Sequence, residues 1–117
     1  MGVMDFLKIL RGGVKEITVE EANRQLKEIP EVILLDVREL SEWQNAHIPG
    51  AKHIPLGSIE ASLDEVCENK NTPVICQCAA GRGSLLAAQM LQKHGFKNVS
   101  SMAGGLNAWQ VKGYETE

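Results

Sequence analysis

Long apolar runs are missing from this chain of 117 residues. The most apolar stretch at the amino end, residues 1–10, is interrupted by Asp5 and Lys8, far short of the roughly 20 apolar residues a membrane-crossing helix needs. Asp5 inside that stretch, and Arg11-Gly12-Gly13 where a small-residue cleavage site would stand, do not fit a secretory leader. The expectation is a short helical extension over 1–15, docked on its own domain and not on a membrane. A basic surplus is missing as well. Twelve Lys and Arg against fifteen Asp and Glu leave a formal charge of -3, so nucleic acid is not an expected partner. Cysteine is scarce: Cys67, Cys76 and Cys78 are too few for a disulfide framework, and Cys76 and Cys78 stand too close together to bridge. Reduced thiols in a cytoplasmic setting follow. No second cluster of Cys or His stands at zinc-ligand spacing, so no zinc site is expected.

What is present suits one globular domain over 1–117, with 44% hydrophobic and 23% charged residues. Thr18 with Glu21 three positions on predicts a capped helix, its face formed by Val19, Ala22, Leu26 and Ile29 and its end set by Pro30. Val32-Ile33-Leu34-Leu35, closed by Asp36, reads as a strand buried on both faces. Ser41 predicts the cap of a short helix, and Ile48-Pro49-Gly50 turns the chain into a brief strand at Ala51-Lys52-His53-Ile54. Helical spacing over 58–67, a polar breaker over 69–73 and the strand Val74-Ile75-Cys76 follow. Residues 84–91 are apolar nearly all round, which predicts a covered helix; Val99 marks another strand, and Gly104-Gly105 opens a last helix over 106–111. Strands alternating with helices imply an α/β fold: a mainly parallel central sheet of about five strands with helices on both faces. Ligands in such folds bind beyond the carboxyl ends of the strands.

The loop Cys78-Ala79-Ala80-Gly81-Arg82-Gly83-Ser84 occupies that rim. Gly81 and Gly83 let successive N–H groups turn inward as an anion nest, and Ser84 is the expected N-cap of the next helix, aiming its positive end at the Cys78 sulfur. Helix N-termini and cationic neighbours bring a cysteine pKa from about 8.5 to roughly 3.5–7.5, which makes the thiolate a nucleophile. Arg82 adds positive charge and donors for an anionic substrate, which an inert glycine turn would not require. Elsewhere, Asp36 and Arg38 read as a framework ion pair, His47 as the fastener of a turn, and Trp43 and Trp109 as packing.

Three ordered motifs carry a family resemblance. They are Leu35-Asp36-Val37-Arg38 with Glu42-Trp43 and His47-Ile48-Pro49-Gly50-Ala51; Val74-Ile75-Cys76-Gln77-Cys78 with Gly81 and Ser84; and His94-Gly95-Phe96-Lys97-Asn98-Val99 with Gly104-Gly105 and Trp109. Over about residues 17–114 the chain resembles a single-domain rhodanese, a sulfurtransferase module. The resemblance implies that Cys78 takes sulfane sulfur from a donor such as thiosulfate, becomes a persulfide and passes the sulfur to cyanide or a thiol. It implies that Ala79, Ala80, Gly81, Arg82, Gly83 and Ser84 bind the substrate, with no metal or organic cofactor. Small sulfur donors and acceptors are the expected partners, together with a sulfur-accepting protein if the chain acts as a carrier. Many family members place arginine immediately before the helix-starting serine, where this chain has Gly83 with Arg82 one step earlier; Ala79 and Ala80 also replace residues that are often polar. Two other readings stand beside it: a non-catalytic binding module, and a phosphatase-like or arsenate-reducing relative. The last generally needs arginine six positions after the cysteine, where this chain has Ser84.

Overall fold

The computed structural model describes residues 13–117. In chain order the elements are β1 (Lys15–Ile17), α1 (Val19–Glu28), β2 (Ile33–Asp36), α2 (Leu40–Asn45), β3 (Lys52–His53), a 3-10 turn (Leu56–Ser58), α3 (Leu63–Val66), β4 (Val74–Gln77), α4 (Arg82–Lys93), β5 (Val99–Met102) and α5 (Gly105–Val111). The five strands form one parallel sheet in the order β1-β5-β4-β2-β3. The central strand is β4, so the loop that leaves it opens at the middle of the sheet's carboxyl edge.

Alternation along the strands splits the core in two. Leu35, Val74 and Cys76 meet Ala87, Ala88 and Leu91 of α4 on one face, whereas Leu34, Ile75 and Met102 meet Ala22 of α1 and Leu106 and Trp109 of α5 on the other. Helices therefore cover both faces, as the α/β pattern predicts. Each fully buried aliphatic side chain of this kind contributes about 1.5–3 kcal/mol, so the two layers hold the sheet edge rigid for the loops it carries.

Several local expectations are corrected. The helix expected over 1–15 lies outside the described residues up to position 12, and Lys15 already belongs to β1. No periodicity announces β1, whose three residues include two charges. It is an edge strand, where charge discourages further pairing, and its register is set by β5 through Ile17 opposite Met102. The helix expected over 58–67 is two separate turns, which still bury Ile59 and Val66. Ser41 is not a cap: α2 begins one residue after Glu39, whose N–H donates to Glu42 Oε1 at 3.1 Å. Thr18 does cap α1, accepting Glu21 N–H at 3.1 Å. The helix after Cys78 is not covered all round either. Its buried face is Ser84, Ala87, Ala88 and Leu91, while Leu86 is exposed.

Candidate active site

Cys78 is the first residue beyond β4, and only 8% of it is exposed. The chain then reverses tightly at Gly81, whose φ of 106° lies in the left-handed region that glycine adopts without penalty. That turn starts α4 at Arg82, two residues before the expected point. Ser84 is consequently not the N-cap but lies inside the first turn, facing inward. Its Oγ lies 3.5 Å from Cys78 Sγ, 3.1 Å from the Gly81 carbonyl and 2.7 Å from Ser101 Oγ on β5. The Gly81 N–H donates to Cys78 Sγ at 3.0 Å.

These contacts set the protonation state. Burial works against ionisation of Cys78, but it is outweighed by hydrogen bonds from the Ser84 hydroxyl and from the N–H groups of Ser84, Gly81 and Ala80. The thiol therefore titrates below its ordinary value. When the sulfur carries a proton, it donates to Ser84 Oγ and Ser84 donates to Gly81 O. When the sulfur is ionised, the Ser84 hydroxyl turns its proton to sulfur and accepts from Ser101. Ser84→Ala removes that donor, so the pH at which Cys78 becomes alkylated by iodoacetamide rises. The alkylation rate falls at neutral pH and converges on the parent's at high pH; an unshifted profile would show that backbone N–H groups suffice. Cys76, two residues upstream, shows the opposite outcome. It is wholly buried, and burial together with the neighbouring Cys78 pushes its thiol up to about 12.

Two groups of residues that sequence reasoning did not assign to the site complete it. The first holds the loop from behind. Cys78 O accepts from Leu106 N–H at 2.8 Å and from Gln77 Nε2 at 2.8 Å, and Ala79 O accepts from Asn107 N–H at 3.0 Å. The first turn of α5 is thus bonded to the backbone of the cysteine loop. Gly105 makes the approach possible, because a Cβ there would lie 2.6 Å from Ala79 O and closer still to Cys78 O. The Gly104-Gly105 pair was legible as a helix start, but its contact with Cys78 joins segments that are distant in sequence.

The second group is the opposite wall. A cleft of about 310 Å³ is lined by Cys78, Ala79, Ala80, Arg82 and Gly83 on one side and by Val37, Arg38, Glu39, Glu42 and Leu56 on the other. Arg82 lines this cleft and is otherwise exposed, while the hydrogen bonds that favour the thiolate come from Ser84, Gly81 and Ala80. Gly83 has its backbone against the cysteine: a Cβ there would stand 3.8 Å from Sγ, in ordinary contact. Arg38 is committed to the framework, as its pattern predicts. Its Nη2 pairs with buried Asp36 Oδ2 at 2.8 Å and donates to Ala46 O at 2.7 Å, locking the end of β2 to the end of α2. His47 lies 2.8 Å from Trp43 O through Nδ1 and stacks on the Trp43 ring, and His53 Nε2 lies 2.7 Å from Arg38 O. Both histidines brace this wall without lining the cleft. Among the described residues no three His, Cys, Asp or Glu side chains are grouped to hold a metal ion, and no helix is long and apolar enough to cross a membrane.

Comparison with known proteins finds relatives over most of the chain. The family model described as Rhodanese-like domain matches residues 18–112. The candidate sulfur carrier protein YrkF of Bacillus subtilis is 38% identical over 99 residues, covering 85% of this chain and 52% of the relative. The thiosulfate sulfurtransferase GlpE of Tolumonas auensis is 31% identical over 94 residues, covering 80% of this chain and 86% of that protein. Several relatives are longer, and the chain spans about half the length of YrkF and of a Synechocystis protein that is 36% identical. Among solved structures, the thiosulfate sulfurtransferase of Pseudomonas aeruginosa superposes with a TM-score of 0.83 at 26% identity, over 96% of this chain and 21% of that one.

Proposed function

Because the chain belongs to the rhodanese-like domain family, we propose that it is a sulfurtransferase that moves sulfane sulfur through a persulfide on Cys78. In the first half-reaction the Cys78 thiolate attacks the outer sulfur of thiosulfate or of a small persulfide. A new S–S bond forms at Sγ, the donor's S–S bond breaks, and sulfite or a thiolate leaves with the electron pair. In the second, cyanide or a thiolate attacks the outer sulfur, the bond to Sγ breaks, and the Cys78 thiolate is restored. The negative charge passes from Sγ to the terminal sulfur of the persulfide and back to Sγ, beside the donors of Gly81, Ala80 and Ser84, and pre-aimed donors of this kind stabilise a reacting anion without reorganisation. Ala79, Ala80, Arg82 and Gly83 form the substrate side of the cleft.

The single observation that supports this reading most is the sulfur itself, on a residue that lines a cleft, accepting the Gly81 N–H at 3.0 Å and ionising more readily than an ordinary thiol. A reducing compartment such as the cytoplasm would keep all three cysteines available as thiols. With a protein thiol as the acceptor, the same persulfide serves a carrier role, in line with the name given to YrkF. The test is intact-mass measurement after incubation of the reduced protein with thiosulfate or with a small persulfide. One added sulfur atom, removed by cyanide with release of thiocyanate, is the expected result. No added sulfur from either donor overturns the proposal.

A further inference from the structure

Charge is divided across the Cys78 cleft. Arg82 lines the wall that carries the nucleophile, and Glu39 and Glu42 line the wall that faces it. Arg38 does not offset those carboxylates, because its guanidinium is held by Asp36 and by the carbonyls of Glu42 and Ala46. The carboxylate wall is also a built feature. Glu42 Oε1 accepts the Glu39 N–H at 3.1 Å, so the capping interaction that starts α2 fixes the Glu42 side chain at the cleft. The remaining lining is short and apolar: Val37, Leu56, Ala79, Ala80 and the bare backbone of Gly83. A Cβ at position 83 would stand 3.8 Å from the sulfur, so glycine leaves that space beside it open.

We infer that the sulfur acceptor suited to this cleft is a small zwitterionic aminothiol, such as free cysteine, with its ammonium toward Glu39 and Glu42 and its carboxylate toward Arg82. The inference rests on the persulfide chemistry proposed for Cys78 and names the acceptor class for it. The acceptor's thiolate attacks the terminal sulfur of the Cys78 persulfide; the S–S bond to Sγ breaks, its electron pair stays on Cys78, and the acceptor leaves as a persulfide. No oxidant or reductant enters. A doubly charged anion such as thiosulfate gains from Arg82 but is opposed by two carboxylates, whereas a zwitterion is matched on both sides. Opposed exposed charges across a cleft of this size shift rates by about three- to fivefold each, an effect that fades as added salt screens them.

The test loads Cys78 with sulfur and follows discharge by mass with four acceptors: cysteine, cysteamine, mercaptopropionate and uncharged mercaptoethanol. Each rate is taken relative to mercaptoethanol, and each variant is compared with the parent so that the intrinsic reactivity of the thiol cancels. Glu39→Gln and Glu42→Gln are expected to lower the relative rates of cysteamine and cysteine about three- to fivefold each; the glutamine at position 42 keeps an oxygen to cap α2. Arg82→Ala is expected to lower cysteine and mercaptopropionate by a similar factor while raising cysteamine. Relative rates that stay the same in both glutamine variants would overturn the inference, as would a parent protein that discharges faster to mercaptopropionate than to cysteamine.

A parallel arm needs no sulfane sulfur. Cys78 is modified with aminoethyl and with sulfonatoethyl methanethiosulfonate; loss of a carboxylate slows the cation and speeds the anion, so the ratio of the two rates should fall about tenfold or more in each glutamine variant. A protein that never loads sulfur yet shows this change loses the sulfurtransferase reading and keeps the charge-divided cleft. A protein that loads sulfur but shows no change in either arm loses this inference alone.

Discussion

Cys78→Ser is expected to take up no sulfur from thiosulfate or from a small persulfide, whereas Cys76→Ser and Cys67→Ser should load as the parent does. The three thiols differ in surroundings, not in chemistry. Cys78 has hydrogen-bond donors aimed at its sulfur and a cleft in front of it. Cys76 is fully buried within the core that α4 covers, and its thiol is pushed up to about 12, so almost none of it ionises at neutral pH. Cys67 sits beyond α3, with its Sγ donating to Asn69 O at 3.2 Å, and it does not line the cleft. A serine at position 78 keeps the shape of the loop but offers a hydroxyl that stays protonated, so the loss is of the whole activity and not a fraction of it. Loading by the parent should rise with pH as the Cys78 thiol ionises, with a midpoint below the ordinary cysteine value of about 8.5. Sulfur found on Cys67 or Cys76 by peptide mapping would contradict the assignment.

Gly105→Ala is expected to cost about 3 kcal/mol of stability and most of the loading rate. Two effects combine. Gly105 has φ of +58°, where a side chain costs roughly 1–2 kcal/mol. The new methyl would also press on the backbone of Cys78 and Ala79, and overpacking of this kind costs about 1–3 kcal/mol. For a domain of this size the melting temperature should drop by about 10–15 °C. Relief is available only by moving α5 away from the loop, which would break the bonds from Leu106 and Asn107 that pin the carbonyls of Cys78 and Ala79. The N–H groups aimed at the sulfur would move with the loop. Gly57→Ala serves as the control: its added carbon would meet nothing within 4 Å and its φ is not positive, so its stability should stay within about 0.5 kcal/mol of the parent. Equal melting and loading by the Gly105 and Gly57 variants would dismiss the positioning role.

The elements that were legible in advance share one property: their signal is local. The aliphatic runs before Asp36 and Cys76 announced β2 and β4, the glycines after Cys78 announced a tight turn, and the Asp36 and Arg38 pattern announced their ion pair. The elements that were missed or shifted lack such a signal. β1 is three residues with two charges and exists because β5 offers it an edge, and the onset of α4 depends on the left-handed turn at Gly81 more than on the side chain of Ser84.

The sequence by itself therefore determined the α/β layering and the strand and glycine-rich loop that carry Cys78, because side-chain periodicity and a glycine-rich loop act over a few neighbouring residues. Only the tertiary structure decided what surrounds that sulfur. Glu39 and Glu42 reach the cleft because β2 lies beside β4, Ser84 is anchored by Ser101 because β5 lies on its other side, and Gly105 meets Cys78 because α5 packs its first turn onto the loop. Those neighbours are brought together by burial of the two core layers, a force that acts through space between segments far apart along the chain and leaves no mark in the local spacing of residues.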